Sequence, residues 1–276
     1  MTVFVLQNNS LDRIGRLVMP CVEYCHRNGL TFVDRSLTVD LDVDTLDLDD
    51  SRGMLVYGSV GWAKRFKESR FGHWIDYDED AFATSTWGPV LGDRALNGRG
   101  ELMTVQEATR RLSLGERLHL RPDRNDKAFG GGLFDAASWD EVLAEKRSSM
   151  GVVLDEVVCW ASPAKTIDGE IRCWFVGGEL VEMSRYRKDG ALLIERVDDP
   201  AIARIASELG GLYLPRDNAV MDIAFQGGEA YIVEYNKIHS AGWYAADVDR
   251  VLDAWVADLQ ARAVSRPGIL LSTASL

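Results

Sequence analysis

Two apolar runs flank a Gly-Gly pair in residues 219–237, which read AVMDIAFQGGEAYIVEYNK. This pattern predicts a β-hairpin, because glycine readily adopts the positive φ angles that tight turns need. A three-residue turn at Gly227–Glu229 would place Asp222 opposite Glu234. Side chains alternate along a strand, so Glu234 and Asn236 lie on the same face. The hairpin therefore predicts two carboxylates and one amide on a single face of an otherwise apolar sheet.

These three side chains offer hard oxygen atoms, which are the ligands that Mg²⁺ prefers. Mg²⁺ keeps several waters and takes further ligands from substrate phosphates. Carboxylates that share a buried face repel one another unless a cation or a hydrogen-bond donor compensates them. We therefore predict that Asp222, Glu234 and Asn236 bind Mg²⁺ rather than form an ordinary surface.

A second Gly-Gly hairpin is predicted at residues 169–187, GEIRCWFVGGELVEMSRYR. Arg172 lies in the middle of its first strand, where an unpaired guanidinium would be costly. Arg121 ends an earlier predicted strand, and Lys127 follows it in the glycine-rich loop RNDKAFGGGLF. Glycines let backbone N–H groups approach phosphate oxygens, and a nearby Lys or Arg neutralises their charge. Arg121, Lys127 and Arg172 are therefore candidates for binding phosphate.

The first part of the chain, residues 1–100, is predicted to be a small α/β domain. Apolar runs at 2–6, 30–34 and 54–59 predict strands, and a helical pattern between the first two is expected to be kinked or split at Pro20. The aromatic stretch that ends this part, from Phe71 to Gly100, shows no regular periodicity and is predicted to be irregular.

The second part, residues 101–262, is predicted to be an α+β unit with subdomains at about 101–155 and 156–262, followed by a tail at 263–276. Ser138 is predicted to cap a helix, with Glu141 completing a capping box. The other elements follow from apolar periodicity. Helices are predicted at 104–112, 138–150, 198–210 and 247–263, and strands at 116–122 and 152–161.

Composition narrows the functional classes. The net charge of −12 argues against a nucleic acid as the main partner, since phosphate backbones require a basic surface. No apolar run approaches the length of a membrane span, and the first residues lack the pattern of a signal peptide. The four cysteines form no CxxC pair, which is typical of reduced thiols. A cytoplasmic protein without nucleic-acid or membrane partners is predicted.

Together these motifs resemble the ATP-grasp superfamily. GEIRCWFVGGELV is similar to the (D/E)-x-R strand and hairpin of the glutathione-synthetase and ribosomal-protein glutamylase branch, and DIA…IVEYN resembles the paired metal-binding strands of these enzymes. The resemblance covers about residues 100–262. It implies an ATP-grasp fold, in which two α+β subdomains clasp ATP, preceded by a small α/β pre-ATP-grasp domain. It also implies carboxylate–amine or carboxylate–thiol ligation, in which ATP converts a carboxylate to an acylphosphate and ADP and phosphate are released.

The resemblance assigns roles to the phosphate end of the site. Asp222, Glu234 and Asn236 would hold one or two Mg²⁺ ions that bridge the β- and γ-phosphates. Arg172 would contact the γ-phosphate and the acylphosphate, where fixed positive charge helps most. Lys127 would lie in the loop that closes over the triphosphate and would share the catalytic role.

The remaining roles concern nucleotide and substrate. Arg121 occupies a strand-end position where most family members have lysine. Glu156 would meet the ribose or the adenine amino group, and the backbone near Val158 would read the adenine edge. Arg185 and Arg187 either bind a substrate carboxylate or face solvent.

Two further residues follow the metal ligands, and two departures from the family pattern stand out. Lys237 is predicted to contact phosphate or substrate, and His239 to face solvent. Val220 stands where the family often has arginine, and no counterpart of an early ATP-binding lysine precedes residue 115. The departures indicate a divergent bacterial or phage clade.

The sequence thus predicts an ATP- and Mg²⁺-dependent ligase that joins the carboxylate of a small molecule, amino acid or peptide to an amine. A small-molecule kinase needs the same metal and phosphate groups. A catalytically degenerate nucleotide-binding module would explain the missing lysine. The final helix packs its apolar side either internally or against a second copy in a homodimer; the residues concerned are Val248, Val251, Leu252, Trp255 and Leu259.

Overall fold

The computed structural model describes residues 1–8, 13–38, 40–124, 128–150 and 154–265. Lys127 and most of the predicted tail lie outside the described residues. Among the helices described, none has the length and apolar character needed to cross a membrane.

The first part of the chain forms a parallel three-stranded sheet with the strand order β2-β1-β3. The predicted strands and helix are confirmed, and α1 continues through Pro20 instead of being split. The elements are β1 (Val3–Gln7), α1 (Arg13–Arg27), β2 (Phe32–Arg35), β3 (Met54–Tyr57) and α2 (Val60–Lys67).

The prediction of an irregular stretch from Phe71 to Gly100 is wrong in part, because it contains the helix α3 (Thr84–Leu91). Its sequence, TSTWGPVL, includes glycine and proline, which have low helix propensity. Burial stabilises it instead: Trp87 is almost fully buried and meets the edge of Tyr235 at 5.3 Å between ring centroids. A distant contact therefore outweighs local preference.

An antiparallel four-stranded sheet follows, with the order β4-β7-β5-β6. The helix predicted at Ser138 begins earlier: Asp135 Oδ1 accepts the Ser138 N–H at 3.0 Å, and Ser138 Oγ accepts the Asp135 N–H at 3.0 Å. This reciprocal pair is a capping box with Asp135 at its start. The strand predicted from residue 152 begins later, at Val158. The elements are β4 (Glu101–Thr104), α4 (Val105–Ser113), β5 (Leu118–Pro122), β6 (Gly132–Phe134), α5 (Ala136–Met150) and β7 (Val158–Pro163).

The last part forms an antiparallel five-stranded sheet with the order β10-β9-β8-β11-β12. Both predicted Gly-Gly hairpins are confirmed, whereas the edge strand β10 was not predicted. The elements are β8 (Gly169–Val176), β9 (Glu179–Lys188), β10 (Ala191–Arg196), α6 (Pro200–Gly210), β11 (Ala219–Gln226), β12 (Glu229–Lys237) and α7 (Val248–Val264).

The turn of the β11–β12 hairpin differs from the prediction. Gln226 pairs with Glu229, so the turn has two residues, and Gly227 and Gly228 both have positive φ. A two-residue turn alone would place Asp222 opposite Val233. A β-bulge after Asp222 shifts the register by one residue and restores the pairing of Asp222 with Glu234.

The helix α7 packs inward. Val251, Leu252, Trp255 and Leu259 are fully buried in a core that they share with the three-stranded sheet, and Val248 packs against the same core. The apolar side of this helix is therefore covered within the chain.

Candidate active site

Asp222, Glu234 and Asn236 converge as the hairpin pattern predicts. Asp222 on β11 pairs with Glu234 on β12, and Asn236 Nδ2 donates to Asp222 Oδ2 at 3.1 Å and to Glu234 Oε1 at 2.9 Å. Asp222 is fully buried, while the Glu234 side chain is 27% exposed. The amide thus links two carboxylates at the edge of a buried cluster.

Arg172 compensates the buried carboxylate. It pairs with Asp222 across β8 and β11, and its Nε and Nη2 donate to Oδ1 and Oδ2 at 2.8 and 2.7 Å. Its Nη1 also donates to the Gly242 carbonyl at 3.3 Å. Burial raises the pKa of Asp222 to about 7, although the guanidinium opposes that shift. Burial alone would lower the pKa of Arg172, but the carboxylate outweighs it and raises that pKa.

Arg121 reaches the same cluster from the other sheet. Its Nη2 lies 2.9 Å from Glu234 Oε2, and its Nη1 donates to the Val233 carbonyl at 3.1 Å. Its buried Nε has no hydrogen-bond partner among the residues described. Glu234 also lies 4.0 Å from Arg172 Nη2. Two carboxylates and two guanidiniums therefore meet where the small sheet faces β12.

The donor set fits Mg²⁺. Among the described residues no three His, Cys, Asp or Glu side chains group as a metal site, which agrees with a set of two carboxylates and one amide. Asn236 presents its nitrogen to the carboxylates, and a half-turn of the amide would present its oxygen instead. Hard oxygen ligands with room for phosphate oxygens suit Mg²⁺.

Two tyrosines that the sequence analysis missed cover Arg172. The rings of Tyr186 and Tyr244 stack at 4.9 Å with an interplanar angle of 10°, and their centroids lie 5.8 and 4.9 Å from the guanidinium carbon. Tyr244 has φ of +51°, a conformation that is strained for a bulky residue. Nothing local in the loop GWYAAD signals this conformation. Strain of this kind is concentrated at functional sites.

Arg185 and Arg187 lie farther out on β9. Arg185 forms an ion pair with Glu195 of β10, and Arg187 Nη1 lies 3.6 Å from Glu170 Oε1. These contacts do not bring either arginine to the carboxylate cluster, and their substrate role stays a prediction.

The residues predicted to hold the base occupy β7 and the turn before it. Glu156 is exposed in that turn. Val158 begins β7 and, by alternation, shares a face with Trp160, which pairs with Arg121. Ser162 lies on this face too, opposite His119, and its buried Oγ has no hydrogen-bond partner within the described ranges. Sequence reasoning missed Trp160 and Ser162, because a strand boundary placed too early shifted attention to Glu156.

The residues after Asn236 are both buried. The Lys237 ammonium lies 3.8 Å from the centroid of the Tyr77 ring. The prediction that His239 faces solvent is wrong: its Nδ1 donates to the Val56 carbonyl at 2.7 Å, and its Nε2 accepts the Asp76 N–H at 2.8 Å. Burial lowers the pKa of His239, consistent with a neutral ring. The ring connects β3 to the segment after β12.

Solved structures share this architecture. D-alanine–D-alanine ligase from Bacillus anthracis has a TM-score of 0.62 at 12% identity, covering 95% of this chain and 96% of that chain. A RimK-domain ATP-grasp protein from Sphaerobacter thermophilus has a TM-score of 0.60 at 15% identity, covering 95% and 99%. The ATP-grasp ligase PsnB, complexed with minimal precursor, Mg and ADP, has a TM-score of 0.55 at 14% identity, covering 94% and 98%. These similarities confirm the predicted fold.

The sequence also matches a family described as an ATP-grasp domain, the third family of its clade, over residues 82–256. A comparison with curated proteins finds no match. The family match spans more than half of the 276 residues and includes every residue of the carboxylate cluster and its arginines. The chain therefore belongs to this family of the ATP-grasp superfamily.

Proposed function

We propose that the protein is an ATP- and Mg²⁺-dependent ligase that joins a carboxylate to an amine through an acylphosphate. The observation that carries this proposal is the cluster of Asp222, Glu234 and Asn236 with Arg172 and Arg121, which gathers Mg²⁺ ligands and phosphate-binding cations between two sheets. Membership in the ATP-grasp superfamily supports it. The similar D-alanine–D-alanine ligase and PsnB are ligases by name.

The proposed reaction has two steps. A substrate carboxylate oxygen attacks the γ-phosphorus, and the bond to the β-phosphate oxygen breaks to release ADP. The amine then attacks the acyl carbon, phosphate leaves, and the amine proton passes to a base or to solvent. Arg172 and Arg121 would stabilise negative charge on the transferring phosphoryl group. When held by Asp222, Glu234 and Asn236, Mg²⁺ would neutralise charge on the phosphates.

Other residues take supporting roles in this proposal. Lys127, which lies outside the described residues, would close over the triphosphate and assist phosphoryl transfer. Glu156 and Val158 would contact the ribose and adenine. Arg185, Arg187 and Lys237 would orient substrate.

The rest of the proposal concerns the substrates and the setting of the enzyme. The carboxylate and amine would belong to small molecules or peptides, and residues 1–100 would form the pre-ATP-grasp domain that helps to select them. Cys21, Cys25, Cys159 and Cys173 are buried free thiols, which suits the reducing cytoplasm.

Mg²⁺-ATP is expected to raise the melting temperature of the wild-type protein by several degrees. Ligand at a hundred times its dissociation constant adds about 2.7 kcal/mol, which shifts the midpoint by that much for a chain of this size. The Asp222→Asn variant should show a smaller shift relative to its own ligand-free midpoint, since it loses a metal ligand. Asp189→Asn, in the exposed turn between β9 and β10, is the matched control and should behave as wild type. Thermal unfolding with ATP, with and without Mg²⁺, measures all three.

Ligation is tested by ADP release over a panel of amino acids and short peptides as carboxylates and amines. ADP and an amide product formed together support the proposal. A phosphorylated product that is stable when amine is present would indicate a kinase instead. Nucleotide binding without product across the panel would indicate a degenerate module.

A further inference from the structure

The two outer edges of the five-stranded sheet are treated differently. The edge at β12 is covered by the chain itself, because Ala95 bridges to Ile232 and the Leu96 N–H donates to the Ile232 carbonyl at 2.8 Å. The edge at β10 has no neighbouring strand in the part of the chain that the structure describes. An open edge presents unpaired N–H and C=O groups that can pair with another strand.

The open edge is also apolar. All six residues of β10 are exposed, and three consecutive aliphatic side chains, Leu192, Leu193 and Ile194, are 76%, 37% and 47% exposed. The strand contains no lysine and no proline, the residues that commonly protect an edge. A β-bulge sets Leu193 and Ile194 together opposite Tyr186 and adds to the aliphatic surface. Contiguous exposed apolar surface of this kind marks an interaction site.

The charges at this edge are already compensated. Glu195 forms an ion pair with Arg185. Arg196 lies 2.9 Å from Glu182 and 3.5 Å from Asp247. The protein as a whole carries a net charge of −12, so most approaches between two copies are repulsive. The β10 edge is a place where two identical acidic molecules can meet without opposing like charges directly.

We propose that β10 pairs with β10 of a second copy, antiparallel and about a two-fold axis, so that two five-stranded sheets join edge to edge. A two-fold contact uses the same surface on both molecules, and an antiparallel edge strand satisfies its own copy reciprocally. The inward packing of α7 removes the other apolar surface that could have served a homodimer. This interface is independent of the proposed ligation chemistry.

Sedimentation velocity of the full chain over a wide concentration range tests the proposal. The wild type should approach twice the 30.7 kDa of one chain as concentration rises. Leu192→Lys combined with Ile194→Lys should remain at the mass of one chain, because two opposed pairs of ammonium groups would meet at the edge. Leu114→Lys is the matched control: Leu114 is 70% exposed but lies after α4, away from β10, and its variant should dimerise as wild type.

Hydrogen exchange locates the contact. Amides of residues 191–196 should exchange more slowly in concentrated wild-type protein than in dilute protein, and the double variant should lose that difference. An unchanged response to Mg²⁺-ATP in thermal unfolding would show that the double variant is folded. A wild type that stays monomeric overturns the proposal and leaves the edge to another occupant, such as an extended peptide. A double variant that dimerises like wild type, or indefinite association in place of a defined dimer, also overturns it.

Discussion

Arg172→Ala is expected to lower the melting temperature by about 10 °C. The change leaves Asp222 fully buried without its bidentate partner, and breaking such a pair costs about 3–5 kcal/mol. For a chain of this size each kcal/mol shifts the midpoint by roughly 2–4 °C. Calorimetry or circular dichroism of the ligand-free protein measures the effect.

Two further variants separate the buried charge from simple loss of packing. Arg172→Met with Asp222→Leu removes both charges, and should recover most of the lost stability while abolishing activity. Arg185→Ala breaks the pair with Glu195 and should cost no more than about 1 kcal/mol, because that pair is solvent-accessible. If the single Arg172 variant melted within a degree or two of wild type, Asp222 would not depend on Arg172 for compensation.

Glu234→Gln is expected to reduce ADP formation at least ~100-fold while the protein remains folded. The carboxylate is a proposed metal ligand and lies between two guanidiniums that would face the phosphates, so its loss removes charge where phosphoryl transfer is stabilised. The side chain is partly exposed, and glutamine keeps its size, so the fold should tolerate the change. ADP formation is measured with the most active substrates from the panel.

Glu229→Gln is the matched control for this variant. Glu229 begins the same strand, is exposed, and contacts the Tyr231 hydroxyl, well away from the cluster. Its variant should keep wild-type activity. Undiminished ADP formation by the Glu234 variant would remove Glu234 from the metal site.

Local rules were sufficient to predict much of the site. Strand alternation and a Gly-Gly turn bring Asp222, Glu234 and Asn236 together within one hairpin, and both rules act over a few residues. The turn length was predicted incorrectly, yet the pairing was correct. The bulge supplied the extra residue that the shorter turn removed, and neither feature alone is written in the periodicity of the sequence.

Contacts between distant segments were not predictable in this way. Arg121 and Glu234 meet because two sheets face each other, and sequence spacing carries no record of that. Tyr244 covers Arg172 through a strained loop conformation, which no propensity favours. His239 is polar and follows the metal ligands, so exposure was a reasonable expectation. Its burial depends on the partners that β3 and Asp76 provide.

The packing of α7 has a consequence for biosynthesis. Residues of β1 and α7 share one core, and Gln260 Nε2 donates to Thr2 Oγ1 across 258 positions of sequence. Contacts so far apart in the chain close late and slow folding. The N-terminal sheet therefore keeps an incomplete core on the ribosome until the last helix emerges, although N-terminal segments usually fold first during synthesis. Nascent chains truncated before residue 248 should accordingly expose this sheet to chaperones and proteases.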